Sequence, residues 1–212
     1  VSILTGHYGT GKTEVSVNLA LALAAEGEQV MLADLDIVNP YFRSRERRPL
    51  LEKAGVRVIS SSQACSDADV PALPAELLTI LENREIRGIL DIGGDPVGAR
   101  VLARFQPKIV QEDYQLIFVL NANRPEVRDA ESAAAYLRSI EAVTGLTCSG
   151  LVNNTHLCGE TTPAEIRKGV ALAQEVSRQT GIPILCHTAE RRFLESLSDL
   201  GEPVFPIAIN MK

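Results

Sequence analysis

Tryptophan is absent from the 212 residues, aromatic side chains make up only 4% of them, and no low-complexity segment interrupts the chain. Glycine and proline stay at ordinary levels, with 15 and 11 residues, while 45% of the chain is apolar. This balance excludes a disordered or fibrous protein and fits a soluble globular one. The four cysteines, Cys65, Cys148, Cys158 and Cys186, show no CxxC or CxC spacing. Reduced thiols in a cytoplasmic protein are therefore expected, and a disulfide framework is not. Nowhere do about 20 apolar residues run together, and no charged-then-apolar leader precedes the first apolar run, so neither a membrane span nor a targeting segment is expected. The chain begins at Val1 rather than at Met. Positive charge is also scarce: 21 Lys and Arg against 27 Asp and Glu leave a net charge of −6, which argues against general nucleic-acid binding. The one dense basic run, RSRERR from Arg43 to Arg48, reads first as a solvated helix face.

What the chain does contain is an alternation of short apolar runs with helical patterns. Strands are expected at 1–5, 29–34, 56–60, 88–92, 115–121, 148–154, 182–187 and 203–208. Apolar runs of that length suit a parallel sheet covered on both faces. Behind Lys12, Val15, Leu19, Ala22 and Leu23 make one apolar face, and Gly27 is placed to end the helix. Pro125 and Glu126 open a second helix with an inner face of Ala130, Ala133, Ala134, Leu137 and Ile140. Thr162, Pro163 and Glu165 have capping-box spacing at the start of a third, which turns Ile166, Val170, Ala173 and Val176 inward. The expected fold is α/β: a doubly wound, mainly parallel sheet of seven or eight strands in a single domain over 1–212, with ligands beyond the carboxyl ends of the strands.

The stretch GHYGTGKTE follows the first strand, and Gly6, Gly11, Lys12 and Thr13 match G-x-x-x-x-G-K-[ST]. A strand before and a helix after are the context that phosphate-loop (P-loop, Walker A) pattern needs. Glycines let successive backbone N–H groups curl around phosphate oxygens up to the helix N-terminus. The expected nucleotide contacts are Gly6, Gly9, Thr10, Gly11, Lys12, Thr13 and Glu14, with Lys12 reaching the β/γ oxygens and the Thr13 hydroxyl on Mg²⁺. Asp91 ends the apolar run ILDI as a Walker B acid should, and Asp34 or Asp36 of ADLD would complete the magnesium surroundings. Gly94, three residues beyond Asp91, has the D-x-x-G spacing of a γ-phosphate sensor. Asn153 and Asn154 are followed by Thr155, His156 and Leu157, so the guanine-reading N-K-x-D is missing. ATP is favoured over GTP, with Asn154 at the adenine edge.

Together GHYGTGKTE, ADLDIVNPYF, ILDIGGD and GLVNN resemble the MinD/ParA-type (CobQ/CobB/MinD/ParA) P-loop ATPases, which include iron-sulfur and metallocentre assembly ATPases and the nitrogenase iron protein. The resemblance runs through nearly the whole chain in order. It implies a P-loop NTPase fold and an ATP-bound homodimer that opens after hydrolysis, its nucleotide cycle switching a protein partner or cargo. It also supports Asn154 as the adenine reader. This chain departs from the family at His7, where members carry a second lysine that reaches across the dimer, and at Tyr8, where glycine is usual. His7 either takes that trans role, giving a dimer that tightens as pH falls, or packs beside the loop. The water-positioning Asp of many members is matched near Arg43, so hydrolysis is expected to be slow or to use Asp36 or Asp95. Lys12, Asp36 and Asp91 are the expected catalytic residues; Thr13, Asp36 and Asp91 are the expected magnesium ligands.

The reading favoured by these residues is a nucleotide-switch ATPase acting on a protein partner or metallocentre, without a membrane partner. Its alternatives are a small-molecule kinase or ATP-dependent ligase of the dethiobiotin synthetase type, with Arg43, Arg45, Arg47 and Arg48 clamping an anionic acceptor, and a non-hydrolysing nucleotide-binding adaptor. A metal site from His156, Cys158, Cys186 and His187 ranks well below these.

Overall fold

The computed structural model describes residues 1–35, 47–60 and 72–210. Strands β1 (Ser2–Thr5), β2 (Gln29–Leu35), β3 (Arg57–Ser60), β4 (Ile86–Ile92), β5 (Gln115–Leu120), β6 (Cys148–Asn153), β7 (Ile184–Glu190) and β8 (Val204–Ile207) form one sheet in the order β3-β2-β4-β1-β5-β6-β7-β8. Every pairing in it is parallel. Its period of two sends alternate side chains to opposite faces. Ile3, Met31, Ala33, Leu90, Leu116 and Phe118 enter one apolar cluster, and Leu4, Val30, Leu32, Ile89, Ile117 and Val119 the other. Full burial of each such Leu or Ile contributes about 1.5–3 kcal/mol, which makes the sheet a stiff base for the loops at its edges.

Helix α1 (Lys12–Ala25) and the short α2 (Arg48–Lys53) cover the second cluster. The first cluster is covered by α3 (Ala72–Glu82), α4 (Pro96–Ala99), α5 (Gln106–Ile109), α6 (Ala130–Thr144) and α7 (Pro163–Thr180). Among the described residues no helix is long and apolar enough to cross a membrane.

Two helices differ from expectation. The N-terminal half of α1 has no single inner face: Val15, Ser16, Val17, Asn18 and Ala20 are all buried, whereas Leu19, Ala22 and Leu23 are only partly covered. The cause is the chain beyond β8, which crosses onto α1. There the Asn18 amide donates to the Ala208 carbonyl at 3.0 Å, and the Ala208 N–H donates back at 2.8 Å. Pro125 and Glu126 open only a 3₁₀ turn, and α6 starts at Ala130 because Asp129 caps it, accepting from the Ser132 N–H at 2.8 Å. The expected inner face of α6 is buried as drawn, and so is that of α7, where Thr162 caps and accepts from the Glu165 N–H at 3.4 Å.

A buried histidine ties the right-hand strands together. His187 on β7 is 0% exposed, with Nδ1 3.3 Å from the Asn153 amide nitrogen and Nε2 3.5 Å from a Glu202 oxygen. Burial pushes its pKa below the ordinary histidine value, while Glu202 pulls the other way. The unfolded chain therefore takes up a proton that the folded chain resists, so stability falls as pH drops below about 6.5. His156, lowered by burial and then by Arg124, adds the same sign. The urea midpoint should decline from about pH 7 to about pH 5.5 and decline less in His187→Gln; an equal slope in that variant would remove His187 as the cause.

Candidate functional site

At the carboxyl edge of the sheet the loop after β1 runs from Gly6 to Gly11 and feeds directly into α1. Gly11 is the N-cap, with φ 84° and ψ 28°, a left-handed conformation that a side chain would strain. No side chain caps this helix, so its first N–H groups face the loop with the positive end of the helix dipole. Thr10 shapes the loop from inside: its N–H and its hydroxyl both donate to the His7 carbonyl, at 3.2 and 2.9 Å. Lys12, 6% exposed, curls back over the loop and donates to the same carbonyl at 3.4 Å.

The turn after β4 closes on this loop. A Cβ on Gly94 would lie 2.6 Å from Lys12 Nζ, 2.7 Å from the Gly6 carbonyl oxygen and 3.0 Å from the Tyr8 nitrogen. Only glycine allows that approach, and it brings Lys12, Tyr8 N–H and the D-x-x-G segment around one point. On the adjoining strands Asp34 and Asp91 are register partners, 2% and 1% exposed. Both present carboxylate oxygens near the carboxyl ends of neighbouring strands. That donor set suits a hard divalent ion such as Mg²⁺. Asp36 lies outside the described residues, as do Arg43 and Arg45. Asp95 is committed elsewhere, capping α4 by accepting from the Gly98 N–H at 2.7 Å.

Other expected contacts sit where their side chains serve the scaffold. The Glu14 carboxylate, 7% exposed, accepts from Asn18 at 3.1 Å and from the Asn210 N–H at 2.8 Å. Asn154, expected at the base edge, is 1% exposed and braces the loop. Its amide donates to the Thr10 and Gly11 carbonyls at 2.8 and 3.4 Å, and its oxygen accepts from the Thr188 hydroxyl at 2.5 Å. The His7 ring lies edge-on to Tyr136 with ring centroids 4.9 Å apart and Nδ1 3.8 Å from Glu126. Arg47 is the N-cap of α2, and Arg48 pairs with Glu52 at 3.6 Å. Of the four residues weighed as a metal site, His156 and Cys158 come within 3.8 Å, but among the described residues no group of three His, Cys, Asp or Glu is placed to hold a metal ion.

Two contacts were not foreseen. Arg124, after β5, donates through Nε to the Gly9 carbonyl at 2.6 Å, and its guanidinium occupies the space a Gly9 side chain would need. Its position at a strand's carboxyl end was the available signal. Tyr136, from α6, donates its hydroxyl to the Gly94 carbonyl; nothing in the spacing of α6 marks it.

The model of the CobQ/CobB/MinD/ParA nucleotide binding domain matches residues 1–203. The chain belongs to that family. It is a P-loop nucleotide-binding protein of MinD/ParA type. The cytosolic Fe-S cluster assembly factor cfd1 of Emericella nidulans is 36% identical to it over 95 residues, 45% of this chain and 26% of that protein. The iron-sulfur cluster carrier protein of Escherichia coli is 50% identical over 40 residues, 19% of this chain and 11% of that protein. The matches thus span about a quarter and about a tenth of the length of these relatives. In fold the chain is similar to the signal recognition particle receptor FtsY of Elizabethkingia anophelis in complex with GDP, with a TM-score of 0.56 at 18% identity over 88% of this chain and 56% of that one.

Asn154→Ala leaves two loop carbonyls and the Thr188 hydroxyl without this partner, so it should cost about 1–3 kcal/mol of stability. Urea unfolding of the nucleotide-free protein measures this. A variant as stable as the parent would mean that the carboxamide is not a brace.

Proposed function

We propose that the protein is a Mg²⁺-dependent ATPase, of low turnover, whose nucleotide state switches a protein partner or metallocentre cargo. The observation that carries the reading is the meeting of Lys12 Nζ, the Tyr8 N–H and Gly94 at one point beside the loop. A terminal phosphate seated beside that contact, drawing Lys12 Nζ off the His7 carbonyl, would touch both the loop and the segment after β4, so its loss would be felt outside the loop. In this reading the N–H groups from Gly9 to Glu14 take the α and β phosphates, that of Thr10 leaving the His7 carbonyl to do so, and Lys12 neutralises charge at the β/γ bridge as it develops. Thr13, Asp91 and Asp36 hold the magnesium, with Asp34 beside Asp91; when bound, the ion supplies charge neutralisation at the phosphate oxygens. Asp36 also stands as the proposed water-positioning residue.

ATP is preferred in this proposal because no Asp follows Asn153 and Asn154 at guanine-reading spacing. With its side chain bracing the loop, Asn154 serves the base only if that brace is released on binding. The printed names of the relatives, an iron-sulfur cluster assembly factor and a carrier protein, support a metallocentre as the cargo. A homodimer formed on ATP binding belongs to the same proposal; a protein that sediments as a monomer with a non-hydrolysable ATP analogue bound would remove it.

Isothermal titration with Mg·ATP tests the site. Lys12→Ala should weaken binding by about 10- to 100-fold, the loss of a charged contact in a water-poor site. Equal affinity in the variant would refute the cradle, and GTP binding as tightly as ATP would refute the choice of base.

A further inference from the structure

Tyr136 touches both the phosphate loop and the D-x-x-G turn from outside either segment. It projects from α6, whose inner face is held by Ala133, Ala134 and Leu137. Its ring meets the His7 ring edge-on at 4.9 Å and leans on Phe118 of β5 at 6.4 Å. Its hydroxyl donates to the Gly94 carbonyl. The aromatic contacts fix where the ring stands, and the hydroxyl then fixes which way the Gly94 carbonyl points. That carbonyl belongs to the Gly94–Asp95 peptide, whose far end is held by Asp95 as it caps α4, so the hydroxyl and the cap together fix the backbone on the C-terminal side of Gly94.

We propose that Tyr136 is the positioning residue for the γ-phosphate sensor. By holding the Gly94 carbonyl it presets the Gly94 backbone for a terminal phosphate, so that the third phosphate finds its partner already in place. The inference rests on Gly94 acting as the sensor described above. Preorganisation of this kind raises affinity because the ordering cost is met before the ligand arrives. It also gives the switch an exit, since a turn that shifts when the phosphate leaves must break or bend the bond to Tyr136, and α6 feels the change. The phenol stays a donor throughout the working range: burial, with Asp95 and Glu126 adding to it, pushes its pKa up to about 12.

Tyr136→Phe removes the hydroxyl and keeps the ring against His7 and Phe118. Mg·AMPPNP and Mg·ADP are titrated into parent and variant by calorimetry. Affinity for AMPPNP should fall about five- to tenfold, the worth of one hydrogen bond, while affinity for ADP stays within about twofold. Equal losses for both nucleotides would make Tyr136 a merely structural residue and overturn the proposal. Unchanged or increased AMPPNP affinity would overturn it as well. If the parent protein itself binds AMPPNP no better than ADP, the sensor reading of Gly94 fails and this proposal falls with it. If the parent discriminates and the variant does so equally, only the role of Tyr136 falls.

Discussion

Gly11 holds its φ at 84° where the loop turns into α1, and the site is built around that turn. A left-handed residue there aims the first amides of the helix and the Lys12 side chain back into the loop instead of along the helix axis. Any other residue would pay strain at the junction and would meet Asn154 and His156, which lie directly against the glycine. The same crowding helps to fix the shape of the loop. Thr10 ties it internally, Asn154 holds two of its carbonyls from β6, and Arg124 holds a third from the β5 side. Each of these bonds occupies a carbonyl of the loop, and the Thr10 N–H is itself turned inward onto the His7 carbonyl.

The sheet supplies the other half of the arrangement. Parallel pairing puts the carboxyl ends of β1, β2, β4, β5 and β6 at one edge, and the strand order diverges on either side of β1. Ligands gather at such a divergence because the loops there part and leave a crevice. Register then decides which side chains become neighbours. Asp34 and Asp91 are brought side by side because β2 and β4 pair without a shift, and Leu4 of β1 lies next to Asp91 in turn. The acids and the phosphate loop are thus set by backbone hydrogen bonding, before any side-chain contact is considered.

Much of this could be read from the chain. The eight strands, the strand-loop-helix setting of GHYGTGKT and the place of Asp91 and Gly94 were legible because apolar periodicity and glycine spacing are local properties. Side-chain contacts between distant segments were not. Asn154 looked free for a base because its partners, Thr10 and Thr188, lie 144 and 34 residues away. The Glu14 carboxylate meets a segment 196 residues further on, which no local pattern announces. The face of α1 was misread for the same reason, since the segment after β8 covers a side that periodicity left open. The register that made Asp34 the neighbour of Asp91 was equally beyond the reach of local pattern, and Asp34 and Asp36 stood level in the sequence.

The central claim is that the terminal phosphate of a magnesium nucleotide seats beside the contact between the phosphate loop and Gly94, within reach of Lys12. A crystal structure of the protein with Mg²⁺ and a non-hydrolysable ATP analogue tests it most directly. The account predicts the γ-phosphate within hydrogen-bonding distance of both Lys12 Nζ and the Gly94 N–H, with the metal on Thr13 and beside Asp91. A terminal phosphate turned away from Gly94, or a nucleotide seated elsewhere on the sheet, would contradict it.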